Sequence, residues 1–338
     1  MKKIFPLMFA FFGMAASAQQ VQSMKTIFND KISIRALGLY DHKVWYSGTD
    51  SKFGFVDLQN PDYKNQIRLS DESLQFRTLA QDKDFFYAAN IESPAIFFKI
   101  DKKDLTHQIV FTDVSKAAFY DAFHFVNPHL AFAFSDTDDA RLKLTIYKNG
   151  KWSFFKNNIK LNQGEAAFAA SNTNIASTTK FMWVATGGKS SRILRLNFKN
   201  DQINVFNTPI IQGESSQGIY SIDFLNNTFG IAAGGDYTRP EANINNIATT
   251  NDGGKTWHVQ ASGKNAGYTT CVKIKPGSKG KEIISVGDRH ISYSSDFGKT
   301  WKKISDEKNL YVCEWVDEHT VVFAGKDKIS VMKLGNQK

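Results

Sequence analysis

Carboxylates, arginines and a tyrosine recur in this chain at positions where they could act together on a ligand. Two glutamates each follow a glycine, and a short acidic, aromatic and basic run begins at Asp236. Paired carboxylates perform acid–base chemistry on glycosidic bonds, and arginines bind carboxylates through paired hydrogen bonds. The candidate ligand-binding residues are Arg35, Arg77, Asp121, Glu165, Glu214, Asp236, Tyr237 and Arg239.

A repeated phrase of about 45 residues must position these groups. Each repeat begins with an apolar strand and continues through a polar turn into a second strand, such as VWYSGT or FFYAAN. Starts spaced about 41 to 52 residues apart are typical of propeller blades. The chain is therefore predicted to be all-β, with residues 19–338 forming one seven-bladed β-propeller of four-stranded antiparallel blades. The inner-strand phrases are SIRALGL, LQFRTLA, AFYDAFHF, AAFAAS, GIYSIDF, GYTTCVKI and NLYVCEWV, which start at residues 33, 74, 118, 166, 218, 267 and 309.

The ends of the chain complement each other in this arrangement. The last repeat supplies only about three strands, while residues 24–28 (MKTIF) precede the first inner strand. We expect this segment to pair as the outermost strand of the last blade, because that pairing closes the ring and removes a free strand edge.

Blade topology places the candidate residues on one face. Arg35, Arg77 and Asp121 occupy matching inner-strand positions in the first three blades, and Glu165 and Glu214 open the fourth and fifth. The 236–241 run lies between the second and third strands of the fifth blade. Two interpretations stay open: a polar pocket for a ligand, or side chains that satisfy strand ends and line a water-filled channel.

Two hairpins carry the motif Ser/Thr-x-Asp-x-Gly-x-Thr-Trp, as TNDGGKTW at 250–257 and SSDFGKTW at 294–301. Each Asp is predicted to accept turn N–H groups, each Gly to permit left-handed backbone, and each Trp to cover the hairpin. The motif is therefore interpreted as architectural. Its predicted structural residues are Asp252, Gly254, Thr256, Trp257, Asp296, Gly298, Thr300 and Trp301.

These hairpins resemble the Asp-box, or BNR, repeat. Together with GEAAFAASNT, GESSQGIYSIDF and GGDYTRPE, they make the mature chain similar to the photosystem II stability/assembly factor-like propellers, a WD40/YVTN-like group. Exported bacterial members often carry oxidoreductase or glycosyl hydrolase-like labels. The resemblance implies a binding or assembly scaffold rather than an enzyme, with a protein or glycan partner on the candidate face. The chain departs from the pattern at GYTT (267–270), where similar proteins tend to have an arginine after the tyrosine.

Other chemistry has weaker support in the sequence. A sialidase-like, glycan-active enzyme is the alternative function, but Arg239-Pro240 is only a fragment of the Arg-Ile-Pro phrase of that group. No G-x-G-x-x-G lies between a strand and a helix, so no dinucleotide cofactor is predicted. The seven histidines lack metal-ligand spacing, and five of them fall in polar turn or strand-end contexts, so exposed turn histidine is the interpretation. The acidic run at 136–139 lacks the glycine and glutamate of a calcium loop, so no metal is predicted.

The N-terminus has the three parts of a secretory signal: Lys2 and Lys3, an apolar run over residues 4–16, and Ala-x-Ala at 16–18. We expect cleavage near Ala18-Gln19 and a periplasmic or secreted protein. No later segment is long enough to span a bilayer. The net charge of +9 falls to +7 after cleavage. The basic residues are spread over turns, so no nucleic-acid partner is predicted, and the chain is expected to be a monomer.

Two cysteines, Cys271 and Cys313, occupy the same register in adjacent inner strands. An oxidising compartment would allow them to pair. Side chains in one register are expected to point the same way around the ring, however, so we predict two free, buried thiols that fill space like Ala36 and Ala122.

Overall fold

The computed structural model describes residues 19–136 and 140–336. The predicted signal segment, residues 1–18, lies outside them. The described residues form an all-β propeller of antiparallel strands and contain no helix. None of them forms a helix that is long and apolar enough to cross a bilayer.

The strands are short, except for the first and the last. Their bounds in chain order are β1 Gln19–Tyr40, β2 Lys43–Gly48, β3 Lys52–Asp57, β4 Lys64–Arg68, β5 Ala80–Gln81, β6 Phe85–Ala89, β7 Ala95–Asp101, β8 His107–Asp113, β9 Tyr120–Asn127, β10 Leu130–Ser135, β11 Lys143–Lys148, β12 Lys151–Phe154, β13 Glu165–Ala166, β14 Ile175–Ser177, β15 Phe181–Ala185, β16 Gly187–Gly188, β17 Arg192–Asn197, β18 Gln202–Asn207, β19 Gln217–Phe224, β20 Gly230–Asp236, β21 Ile247–Thr250, β22 His258–Gln260, β23 Cys271–Ile274, β24 Ile283–Gly287, β25 His290–Ser294, β26 Lys302–Ser305, β27 Leu310–Trp315 and β28 Thr320–Asn336.

The described strands form six sheets, so the prediction of seven four-stranded blades is wrong. The reason lies in β1, which runs without a break from Gln19 to Tyr40 and pairs first with β28 and then with β2. The strands of the last and first repeats therefore share one six-stranded sheet, β27-β28-β1-β2-β3-β4. Counted as continuous sheets, the propeller has six blades.

Four sheets have the predicted four strands, in the orders β5-β6-β7-β8, β12-β11-β10-β9, β14-β15-β17-β18 and β23-β24-β25-β26. The sheet that contains β19-β20-β21-β22 is extended by β16 and β13. This extension needs glycine, because a Cβ on Gly218 would lie 2.3 Å from the Cα of Gly187, its pairing partner. The backbone of Gly218 is also left-handed, with φ +139°.

The closing strand pairs as predicted. Met24 lies opposite Met332, Thr26 opposite Ser330, and Phe28 opposite Ile329, all in antiparallel register. The predicted position of residues 24–28 beside the last repeat is therefore confirmed. This pairing covers a backbone edge of β28 that would otherwise be open.

The second strand of each repeat is buried on both faces, because it lies between neighbouring sheets. In β15 and β24, for example, all five residues are buried, which explains continuous apolar runs instead of alternation. The outer strands β4 and β12 are mostly exposed, and each begins with a lysine. The hydrophobic core therefore lies between the sheets, around the central channel.

Both cysteines are free and buried, as predicted. The predicted geometry is wrong, however, because the Sγ atoms of Cys271 and Cys313 lie only 3.8 Å apart. Equal register in adjacent inner strands therefore does not keep the two side chains apart.

Candidate functional site

A segment of the fourth repeat crosses the central channel. We call residues 168–173 the plug. Asn172 donates from Nδ2 to the carbonyl of Leu79 at 2.8 Å, and its Oδ1 accepts the N–H of Phe123 at 2.8 Å. On the other side, Ser171 donates to the carbonyl of Thr270 at 2.6 Å. The plug thus connects the inner ends of repeats two, three and six, and a cavity lies on each side of it.

The upper cavity opens on the face that carries Tyr237 and has a volume of about 380 Å³. Its apolar wall is aromatic: Phe168 of the plug stacks on Tyr220 with ring centroids 3.9 Å apart, and Tyr268 meets Tyr220 edge-on at 4.8 Å. Such packed rings bind a ligand with little loss of side-chain freedom. Its other lining residues are Arg35, Arg77, Ala169, Ala170, Tyr237, Pro240, Thr270, Asp288 and Tyr311.

Two of the predicted residues, Arg35 and Arg77, line this cavity side by side. Arg35 donates to the carbonyl of Ala170 at 3.1 Å, and its guanidinium lies over the ring of Tyr311 at 4.1 Å. Arg77 donates to the carbonyl of Ala169 at 3.5 Å. Within the described part of the chain, neither arginine forms an ion pair. Burial, and then the charge of Arg35, lowers the pKa of Arg77.

Asp121 lies behind Arg77, outside the cavity lining. Its carboxylate is fully buried and has no well-formed hydrogen bond among the described residues. Burial, followed by the charge of Asp136, raises the pKa of Asp121 well above its usual value, against the opposing effect of Arg77. Burial also raises the pKa of Asp136 to about 6. The charges of Glu92 and Asp121 oppose the effect of burial on Arg77 and raise its pKa.

The side chain of Glu165 is held by a buried ion pair and hydrogen bonds within the fold. Its side chain is fully buried and accepts from Arg192 Nε at 2.9 Å and from Arg192 Nη2 at 2.6 Å. The hydroxyl of Thr186 donates to the Glu165 carboxylate at 2.6 Å, and the backbone N–H of Asn162 donates to it at 2.7 Å. The other glutamate, Glu214, is exposed. The two glutamates thus occupy different environments, although both follow a glycine at the start of a repeat.

The residues of the 236–241 run also differ in their environments: some are buried and hydrogen-bonded, and others are exposed or line the cavity. Asp236 is buried and accepts hydrogen bonds from the amide and hydroxyl of Thr238 and from Arg239 Nε, the last at 3.1 Å. Burial raises the pKa of Asp236, but hydrogen bonds from Thr238, Ser216 and Gln217 outweigh it and hold that pKa well below its usual value. Arg239 is 65% exposed. From this run, Tyr237 and Pro240 line the upper cavity.

Apart from Tyr237, which was predicted, the aromatic and acidic side chains of the lining were not found from the sequence. Tyr220, Tyr268 and Tyr311 each stand one or two positions into an inner-strand phrase, as Arg35 does in the first repeat. Aligning the phrases by position would have placed these tyrosines around the same ring. Asp288 follows the buried strand β24 and had no such signal.

No protein-family model matches this chain, and no curated protein matches it in sequence. Its fold, however, is similar to that of many solved structures. One is described as "Structure of U3-55K" and one as "Crystal structure of RRP9 WD40 repeats". Each has a TM-score of 0.68 and 10% sequence identity, and the match includes 94% of this chain and 100% of the compared chain. A third, "YCF48 bound to D1 peptide", has a TM-score of 0.65 and 10% identity, and covers 96% of this chain and 100% of its own.

The shared feature is the propeller fold. At this identity the likeness concerns the architecture alone. The similar structures include a WD40-repeat protein and YCF48, and YCF48 was solved with a peptide bound.

On this propeller, the two motif hairpins form hydrogen-bonded turns that join β21 to β22 and β25 to β26. Asp252 Oδ1 accepts the amides of Lys255 and Thr256 at 3.0 Å, and its Oδ2 accepts the Thr256 hydroxyl at 2.7 Å. Trp257 is buried and donates to the carbonyl of Gly254 at 3.1 Å. The second hairpin repeats these contacts: Asp296 accepts from Thr300, and Trp301 donates to Gly298 at 2.9 Å.

The lower cavity, on the other side of the plug, has a volume of about 320 Å³ and contains unpredicted polar pairs. His124 Nε2 lies 2.8 Å from Ser177 Oγ, and Lys273 pairs with Glu314 at 2.6 Å. Burial, and then the charge of Lys273, lowers the pKa of His124 to about 4. The expectation of an exposed turn histidine is wrong for His290, which is buried and forms a hydrogen bond with the Ser292 hydroxyl. In the described ranges, no three His, Cys, Asp or Glu side chains are grouped as metal ligands.

Proposed function

We propose that this chain is an exported, non-catalytic binding scaffold whose upper cavity takes up an anionic segment of a protein partner. The observation that carries the proposal is the pair Arg35 and Arg77: two guanidinium groups in one aromatic cavity, with backbone carbonyls as their hydrogen-bond partners. Arginine is well suited to bind carboxylates and to stack on aromatic rings.

The electrostatics favour a negative ligand. The cavity lining holds two arginines and one carboxylate, Asp288. Burial and Arg35 already disfavour the charge of Arg77, so a bound anion would relieve both the desolvation and the repulsion. Because the plug forms the floor of the cavity, the partner would insert a side chain or a chain end from one face and not thread through the channel.

The resemblance to Asp-box propellers of the photosystem II assembly-factor type supports a scaffold of this kind. The similarity in fold to YCF48 with a bound peptide and to WD40 propellers is in keeping with a protein partner. We further propose that the chain is delivered to the periplasm or secreted after cleavage near Ala18-Gln19. Mass spectrometry of the protein recovered from the cell envelope should then give an N-terminus at Gln19.

The glycan-active alternative is less well supported. A glycosidase needs one carboxyl group with a raised pKa as general acid. Glu165 is held by Arg192, and the hydrogen bonds to Asp236 keep its pKa low. Burial does raise the pKa of Asp121 and Asp136. None of these four carboxyl groups lines the upper cavity, however.

The test uses two peptide libraries of equal length, one rich in Asp and Glu and the other with Asn and Gln at the same positions. The wild type should bind members of the acidic library in preference to their amide counterparts. The double variant Arg35→Gln/Arg77→Gln should bind the selected peptides at least ~30-fold more weakly, because the loss of even one charge pair in a desolvated site costs about 2 kcal/mol or more. Binding should also weaken as salt concentration rises.

The matched control is Arg68→Gln, which removes an exposed arginine paired with Asp50. It should bind like the wild type. Thermal melting of each variant checks that the fold is intact. Equal binding of acidic and amide peptides, or unchanged binding by a folded double variant, would overturn the proposal. Turnover of a glycoside panel would favour the enzymatic alternative.

A further inference from the structure

The two cysteines of the chain meet in the core. They are separated by 42 positions in a sequence that contains no other cysteine. Their sulfur atoms nevertheless lie 3.8 Å apart, and Cys271 Sγ is 3.7 Å from the carbonyl oxygen of Cys313. Both side chains are completely buried, among residues such as Val286, Leu310 and Phe323.

Side-chain contacts on either side hold the two strands in this register. Strands β23 and β27 belong to different sheets and are not joined by a backbone ladder. On one side of the sulfur pair, the Thr270 hydroxyl donates to the carbonyl of Tyr311 at 2.7 Å. On the other side, Lys273 pairs with Glu314 at 2.6 Å. The thiols are therefore positioned by the fold around them and not by a flexible loop.

We propose that Cys271 and Cys313 form an intramolecular disulfide when the chain folds in the presence of a small-molecule disulfide oxidant. A disulfide bond is about 2.0 Å long, so the sulfurs must approach by roughly 1.8 Å, a movement of the size that side-chain rotation and a small strand shift supply. The bond would join the inner strands of the last two repeats and so link β23 to the six-stranded sheet that closes the ring.

The exchange balances with oxidised glutathione as the oxidant. One cysteine thiolate attacks the glutathione disulfide, its S–S bond breaks, and one glutathione thiolate leaves. The second cysteine thiolate then attacks the protein sulfur of the mixed disulfide and releases the second glutathione. In sum, the two thiols lose two electrons and two protons, and the oxidant becomes two glutathione thiols. Because both thiols are buried in the folded chain, the first attack takes place before the core closes.

The bond would restrict the unfolded chain by closing the loop between the two cysteines, which contains all of β24, β25 and β26. Closing such a loop lowers the entropy of the unfolded state and so stabilises the folded state. The oxidised protein should therefore melt at a higher temperature than the same protein after reduction.

The test refolds the mature chain with a mixture of oxidised and reduced glutathione, blocks exchange with acid, denatures the product without reduction, and titrates it with 5,5′-dithiobis(2-nitrobenzoate). We expect the titratable thiols to fall from two per chain to none, and to return to two after reduction. Peptide mapping should find residues 271 and 313 in one cross-linked pair that is lighter by two hydrogens than the separate peptides.

Cys313→Ala is the matched control, since alanine stands at comparable buried positions such as Ala36. It should retain one titratable thiol and show no difference in melting temperature between oxidising and reducing conditions. Two thiols persisting in correctly refolded wild type would overturn the proposal, as would a cross-link found only between two chains. Because the oxidant is supplied in the assay, the result does not depend on the compartment or on the ligand of the upper cavity.

Discussion

Replacing Glu165 by glutamine should destabilise the propeller without changing the upper cavity. The Glu165 side chain is fully buried and Arg192 is only 12% exposed, so the variant leaves a guanidinium that water reaches poorly. It also turns an acceptor of four donor groups into an amide whose NH₂ faces donors. Breaking one side of a buried ion pair costs about 3 to 5 kcal/mol. For a chain of this size, the unfolding entropy converts the lower value to a fall of roughly 5 °C in melting temperature.

Glu214→Gln is the matched control, because Glu214 also follows a glycine at the start of a repeat but is exposed. Its melting temperature should stay within about 1 °C of the wild type, since surface substitutions usually change stability little. The assay is thermal unfolding followed by circular dichroism, at one pH and one salt concentration. Peptide binding by Glu165→Gln, measured well below its melting temperature, should match the wild type. Equal melting temperatures for the two variants would refute the structural role of Glu165, and a selective loss of binding would assign it to the ligand site.

Three further predictions concern stability. Burial raises the pKa of Asp136 to about 6, so between about pH 4 and pH 6 the folded state holds a proton that the unfolded chain has released. The stability that this proton contributes is lost as pH rises through about 6. Asp136→Asn should therefore raise the melting temperature at pH 7.5 but hardly change it at pH 4, and equal shifts at both pH values would contradict this. Deleting residues 19–29 should expose the edge of β28. The melting temperature should fall, and light scattering should detect aggregation. A soluble variant with the melting temperature of the wild type would reject the role of the closing strand. Asp252→Ala removes the acceptor of four hydrogen bonds in the hairpin. It should lower the free energy of unfolding in urea by about 1 to 3 kcal/mol and leave acidic-peptide binding unchanged; loss of binding would place that hairpin in the site.

The regular part of the fold was predictable because it depends on local pattern. Apolar strands bounded by polar turns predicted the all-β propeller and the inner strands of repeats one, three, five, six and seven, but the phrases LQFRTLA and AAFAAS overlap β5 and β13 by one residue each. The position of residues 24–28 followed from the missing outer strand. The number of sheets was not predictable in this way. Nothing in the residues around position 31 shows that β1 continues from its pairing with β28 into its pairing with β2, because continuity of a strand is a property of its hydrogen-bond partners.

The site was only partly predictable, for a related reason. Arg35 and Arg77 were found because matching positions in successive repeats face the same channel. The partners of Glu165 were not found, because Arg192 and Thr186 lie more than twenty positions away. A carboxylate with such partners looks the same in sequence as an exposed one like Glu214. Charge and spacing identified the groups, but only their long-range partners separate those that are free to meet a ligand from those that stabilise the fold.

The plug shows how the irregular part of a repeat can define a site. The phrase AAFAAS was predicted to be an inner strand, yet between Ala166 and Ile175 the backbone leaves the sheet and crosses the channel. Small side chains at Ala169 and Ala170 allow close approach, and their carbonyls accept from the two arginines. An anion in the upper cavity would compete with these carbonyls for the guanidinium groups. The plug also forms one wall of the lower cavity. A ligand in the upper cavity would therefore contact the segment that both cavities share. Because such a ligand would stabilise the plug, the melting temperature should be higher for the peptide complex than for the free protein.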